Sequence, residues 1–185
     1  MESENNPWNT KTSEKVYESP WIKVMKHDVI NPAGNPATYS VVNFKNLAIG
    51  ILPIDNEGFT WLVGQWRYPI NEYCWEIPEG GGPLNTPPLQ SAIRELKEET
   101  GIVAKEFSEL MRLHLSNSAT DELAIVYLAK NLVFEEAEPE ESEVLQIKKI
   151  HLKEAYQWVM TGKITDAISV AAIMKAKILY DNGSL

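Results

Sequence analysis

β-branched and aromatic residues interleaved with polar ones run through positions 21–30 and 37–44, and the segment between them, Asn31-Pro32-Ala33-Gly34-Asn35-Pro36, is built of turn formers. The pattern predicts two strands closing a first hairpin. Positions 47–54 and 59–65 repeat it around Asp55-Asn56-Glu57-Gly58, which predicts a second hairpin. A strand ending at Pro78 then leads into a glycine-rich loop over 80–85. From 87 to 100 the spacing changes: Leu89, Ala92, Ile93 and Leu96 recur at helical intervals and Gly101 stands where a left-handed cap belongs. Further strands are predicted over 111–116, 123–129 and 144–150, with helices over 153–161 and 167–180, the last capped by Thr165 or Asp166. No internal repeat interrupts this order. Strands and helices in separate runs predict a layered α/β (α+β) arrangement with a helix on either side of the sheet.

Composition narrows the picture. The 185 residues suit one domain spanning 1–185, with 1–15 polar and expected to be poorly ordered. A formal charge of −9 leaves no basic stripe for nucleic acid or an anionic membrane. No apolar run approaches transmembrane length, and Cys74 is the one cysteine, so no internal disulfide forms and a cytoplasmic location is expected. Cys74 and the three histidines, His27, His114 and His151, lie in strand-like contexts without ligand spacing and read as structural.

The chemistry gathers in Arg94-Glu95-Leu96-Lys97-Glu98-Glu99-Thr100-Gly101-Ile102. At about 100° per residue the three glutamates fall within an arc of about 100°, with Leu89, Ala92, Ile93 and Leu96 on the opposite side. Glu98 and Glu99 lie in the last turn, where the helix dipole disfavours anions by roughly 0.3–1 kcal/mol each. A divalent cation would remove that conflict, although Arg94 can also pair with Glu98 one turn on.

With Gly80 placed upstream, these residues resemble the signature of the Nudix hydrolases: Gly80, Arg94, Glu95, Leu96, Glu98, Glu99, Gly101 and Ile102 fall at the matching positions. Thr86 stands where the family has its first glutamate, and before Pro87 it reads as a helix N-cap. Val63-Gly64-Gln65-Trp66-Arg67-Tyr68-Pro69, Trp75-Glu76-Ile77-Pro78, Glu154-Ala155-Tyr156-Gln157-Trp158 and Gly162-Lys163-Ile164-Thr165-Asp166-Ala167 are similar to the ADP-ribose and nucleoside-diphosphate-sugar pyrophosphatase branch.

The resemblance implies a Nudix-like α/β/α sandwich with a mixed sheet and an N-terminal antiparallel β-hairpin region, residues 16–45, contributing to a homodimer. It implies Mg²⁺ or Mn²⁺ held by Glu95, Glu98, Glu99 and the Glu79 carbonyl, with Arg94 orienting a glutamate of the signature. Glu135, Glu136, Glu138, Glu140, Glu141 and Glu143 crowd the segment before 144–150, and by resemblance Glu141 is the base and Glu143 an extra ligand, with Glu122 in reserve. Trp21 and Tyr39 match positions that sandwich a nucleobase, and Arg67 one that contacts phosphate or ribose. The expected reaction is metal-dependent cleavage of ADP-ribose or a related nucleoside-diphosphate sugar. The alternatives are a nucleoside-triphosphate pyrophosphohydrolase and a non-catalytic ADP-ribose sensor.

Overall fold

The computed structural model describes residues 5–135 and 145–185. Where the sequence suggested one domain, the chain contacts group into two compact units, residues 1–46 with 116–122, and 47–115 with 123–185. The N-terminal strands satisfy their ladders among themselves, which is why they separate.

In the first unit, β1 (Asn9–Glu18), β2 (Ile22–Ile30) and β3 (Pro36–Phe44) form an antiparallel sheet in that order. The predicted hairpin is β2–β3, in register from Ile22↔Phe44 to Ile30↔Pro36. β1 corrects the expectation of poor order over 1–15: from Asn9 onward the chain is a strand paired to β2. All ten of its side chains are exposed, so no burial pattern announces it and the ladder alone holds it. The 116–122 segment is tied to β3, because Asp121 accepts from the Phe44 amide at 2.8 Å and the Asn43 side-chain amide at 2.6 Å.

The second unit contains β4 (Asn46–Pro53), β5 (Phe59–Arg67), β6 (Glu72–Glu76), β7 (Glu79–Pro83), α1 (Pro88–Thr100), β8 (Ile102–His114), β9 (Leu123–Phe134), β10 (Gln146–His151), α2 (Leu152–Met160) and α3 (Ala167–Asp181). The second predicted hairpin does not form. β4 and β5 meet only at an Ile54↔Thr60 bridge and then diverge into two sheets, ordered β7-β4-β9-β8 and β10-β5-β6. Both β4 and β5 are buried for most of their length, and such strands take partners on two edges from distant sequence. β4 runs parallel to β9 and β8 antiparallel to it, so the sheet is mixed. β7 replaces the start of the expected loop. β8 is far longer than predicted, since its half-exposed side chains and a bulge between Glu109 and Met111 break the strand period.

Alternate residues of the mixed sheet face two cores. Ile49, Ile51, Ile125, Tyr127 and Ala129 pack with Ala92 and Leu96 of α1, whereas Leu52, Ala124, Val126 and Leu128 pack with Leu152 and Ala155 of α2 and Ile168, Ala172, Ile173 and Ala176 of α3. A helix thus covers each face, as the sequence predicted. α3 is capped by Asp166, whose carboxylate accepts the Ser169 amide at 2.7 Å.

Candidate active site

The first helix is placed by its ends. Gly101 adopts φ 69° and donates its N–H to the Lys97 carbonyl at 2.8 Å, the left-handed cap the sequence predicted. The N-terminus differs by one residue: Pro88 is the first helical position, Pro87 the cap, and Thr86 lies too early for its hydroxyl to serve. The buried face also differs. Leu89 and Ile93 are exposed, while Glu95 and Glu99 are only 9% and 2% exposed beside Ala92 and Leu96. The rotation turns two carboxylates inward against β7.

Two contacts account for that rotation. The Glu79 amide donates to a Glu99 carboxylate oxygen at 2.9 Å. Gly80 lies so close to Glu95 that an added Cβ would stand 2.1 Å from its carboxyl carbon. Only glycine admits the Glu95 carboxylate there. Arg94 donates to Glu98 at 2.6 Å, to the Gly81 carbonyl at 3.0 Å and to Glu95, so the signature arginine clasps two of the three glutamates.

Arg67 forms the second half of the site. Its guanidinium makes a fork to Glu76, with contacts of 3.0, 3.0 and 2.6 Å, and reaches Glu79 at 2.7 Å. Glu76 is 3% exposed at the end of β6, and its one signal in the sequence was a charge between the apolar Trp75 and Ile77. Burial first, then the neighbouring Asp166 and Glu76, push the Glu79 carboxyl well above the usual carboxylate range against the pull of Arg67. Burial opposes the charge on Arg67, but its carboxylate partners outweigh it and raise its pKa. The Glu79 side chain and Glu76 had no assigned role in the sequence reading, and here they hold the predicted substrate arginine, with the charge of Asp166 near enough to act on it. α3 braces this strand, since the Ile77 amide donates to the buried Ser169 hydroxyl at 2.9 Å.

A hard divalent ion asks for several oxygen ligands at one point. Among the described residues no three acidic side chains converge on one point, because Glu95 and Glu98 are turned onto Arg94. The set nevertheless fits such an ion in kind: all its donors are carboxylate or carbonyl oxygens. Glu79 Oε2 is also buried with no hydrogen-bond partner among the described residues, a condition shared only with Thr60 Oγ1. A buried carboxyl oxygen without a partner, set among other carboxylates, is where a cation is wanted.

The remaining predicted residues are distributed as follows. Trp21 and Tyr39 belong to the first unit: Trp21 is 69% exposed, while Tyr39 packs edge-on to Trp8 and donates its hydroxyl to the Ser118 carbonyl at 2.5 Å. Glu122, in the same unit, is half-buried and its amide donates to Thr120 Oγ1 at 3.4 Å. Glu141 and Glu143 lie outside the described residues. Cys74 is buried, as expected, and burial pushes its thiol pKa up. No described helix is long and apolar enough to cross a membrane.

Comparison with known proteins gives this geometry a context. Residues 44–169 match the NUDIX domain model, and residues 8–42 match the nucleoside diphosphate sugar hydrolase N-terminal domain. The chain is 30% identical over 166 residues to the ADP-ribose pyrophosphatase of Bacillus subtilis, covering 89% of each. It is also 30% identical over 163 residues to the methanol dehydrogenase activator of Bacillus methanolicus, covering 87% of this chain and 88% of that one. A crystal structure of an ADP compounds hydrolase superposes with a TM-score of 0.86 at 21% identity, covering 99% of this chain and 100% of that one, and shares its fold.

Proposed function

The chain belongs to the Nudix family of hydrolases, and from that premise we propose that it hydrolyses the pyrophosphate bond of ADP-ribose or a related nucleoside-diphosphate sugar, giving a nucleoside monophosphate and a sugar phosphate. The observation that carries this reading is the presence in one chain of the nucleoside diphosphate sugar hydrolase N-terminal module at 8–42 and the Nudix domain at 44–169. The ADP-ribose pyrophosphatase relative adds support.

In this function Glu95, Glu98, Glu99 and the Glu79 carbonyl would hold Mg²⁺ or Mn²⁺. A bound divalent ion supplies positive charge against the negative charge that develops on the phosphate oxygens. Arg94 keeps Glu95 and Glu98 on one face of α1 until they are required. Arg67, with a side chain 36% exposed and its fork fixed by Glu76, keeps donors for a substrate phosphate or ribose. The proton of the attacking water would pass to Glu141, with Glu122 as the second candidate, and Glu143 would add a ligand. Trp21 and Tyr39 would take the base, in a homodimer built through residues 16–45.

Incubation of the purified protein with Mg²⁺ or Mn²⁺ and a panel of nucleoside-diphosphate sugars and nucleoside triphosphates tests the proposal. The expected products are a nucleoside monophosphate and a sugar phosphate. Pyrophosphate release from triphosphates alone, or tight ADP-ribose binding without turnover, would overturn it in favour of a triphosphate pyrophosphohydrolase or a sensor. Sedimentation equilibrium reads the oligomeric state separately.

A further inference from the structure

We propose that the Glu79 side chain is itself a ligand of the divalent ion, bridging it to Arg67. This role rests on the metal-dependent hydrolase function proposed above, where the Glu79 backbone carbonyl alone was counted. The two carboxylate oxygens of Glu79 are in different situations. Oε1 accepts from Arg67 at 2.7 Å. Oε2 is buried and has no partner among the described residues. The side chain is only 12% exposed, so water does not readily take up the second oxygen, and a cation reaching it would take the place of the proton that burial favours there.

The backbone fixes Glu79 at the edge of the helical carboxylates. Its amide is bonded to Glu99, and the next residue, Gly80, lies against the Glu95 carboxyl group. A carboxylate held there by Arg67 on one oxygen can offer the other to the ion that Glu95 and Glu99 serve. One side chain would then fix both the substrate arginine and the ion, setting the distance between the two positive charges that a pyrophosphate must span.

Substrate-free Mn²⁺ binding, followed by electron paramagnetic resonance of the free ion, separates this role from a purely positional one. Glu79→Gln keeps the oxygen that Arg67 uses and the amide that Glu99 uses, but loses the charge. The expected result is Mn²⁺ affinity lowered by more than the roughly 10–100-fold that loss of an outer partner of a metal site causes, with the unfolding temperature unchanged. Should that variant not fold, Glu79→Ala, which leaves Glu76 holding Arg67, serves the same comparison. If Glu79→Gln binds Mn²⁺ as tightly as wild type while Glu98→Gln does not, the bridging role is overturned and the hydrolase reading stands. If the wild-type protein binds no Mn²⁺, both are overturned.

Discussion

The Glu79 amide donates to the Glu99 carboxylate at 2.9 Å, and this single bond fastens the entry of β7 to the last turn of α1. Both groups are largely withdrawn from water, so an orphaned amide is penalised. Glu99→Ala should lower stability by about 1–3 kcal/mol, whereas Glu99→Gln, which still offers an acceptor, should lose less. Urea denaturation of the pair checks this, and equal losses would refute the assignment.

Gly80→Ala places a methyl group where the Glu95 carboxyl now sits. The flexible end of Glu95 can swing aside, so the fold should persist at a cost of about 1–3 kcal/mol. Hydrolysis should fall on the order of 10²-fold, because the carboxylate is displaced from its place beside Glu99. Retention of full activity would show that the close approach has no bearing on turnover.

Glu98 is half-buried and paired only with Arg94 among the described residues. Glu98→Gln should change stability by no more than about 1 kcal/mol. Its turnover should drop by more than the roughly 10–100-fold that loss of an outer partner of a metal site causes. Circular-dichroism melting and product release, measured on one preparation, report the two effects separately.

Arg67 neutralises Glu76, which is 3% exposed. Arg67→Met leaves that carboxylate buried and unpaired. Removing one partner of a buried pair costs about 3–5 kcal/mol, and the lower end applies because the arginine is about one-third exposed. The double variant Arg67→Met/Glu76→Leu should recover part of the loss, and a cycle showing no coupling would contradict the fork.

Glu18 is held by its contact with Lys15 and by Lys45 at 2.8 Å, which lower its pKa to about 2. Its folded pKa is depressed, so the stability it contributes is present above the ordinary carboxylate pKa and is lost as pH falls toward about 2. Unfolding curves of wild type and Glu18→Gln should therefore converge between about pH 4.5 and pH 2. A carbon-detected titration of the Glu18 carboxyl with an ordinary midpoint would oppose this.

Much of this was legible where a residue type has few physical options. Gly101 announced its cap and Asp166 the start of α3. Helical periodicity alone misjudged which face is buried: it favoured Leu89 and Ile93, because nothing local reveals that the Glu79 amide and Gly80 await Glu99 and Glu95. The β4–β5 hairpin was read from adjacency, yet each strand is buried deeply enough to prefer distant partners. β1 carried no pattern because its ladder is backbone. Glu76 and Glu79 looked like ordinary charges until Arg67 was placed between them.

The parallel pairing of β4 with β9, with Ala48 opposite Ala124, has a kinetic consequence. Arg67, Glu76, Glu79 and α1 all lie in the chain between those two strands. Closing that long loop is entropically slow, as for other non-local sheets. α1 can begin to coil locally beforehand, but the β7–β4 edge that holds Glu79 against Glu99 sits beside the parallel pair. Refolding followed by Mn²⁺ uptake should thus lag behind the recovery of helical signal, and a truncated chain ending before Leu123 should recover no uptake at all.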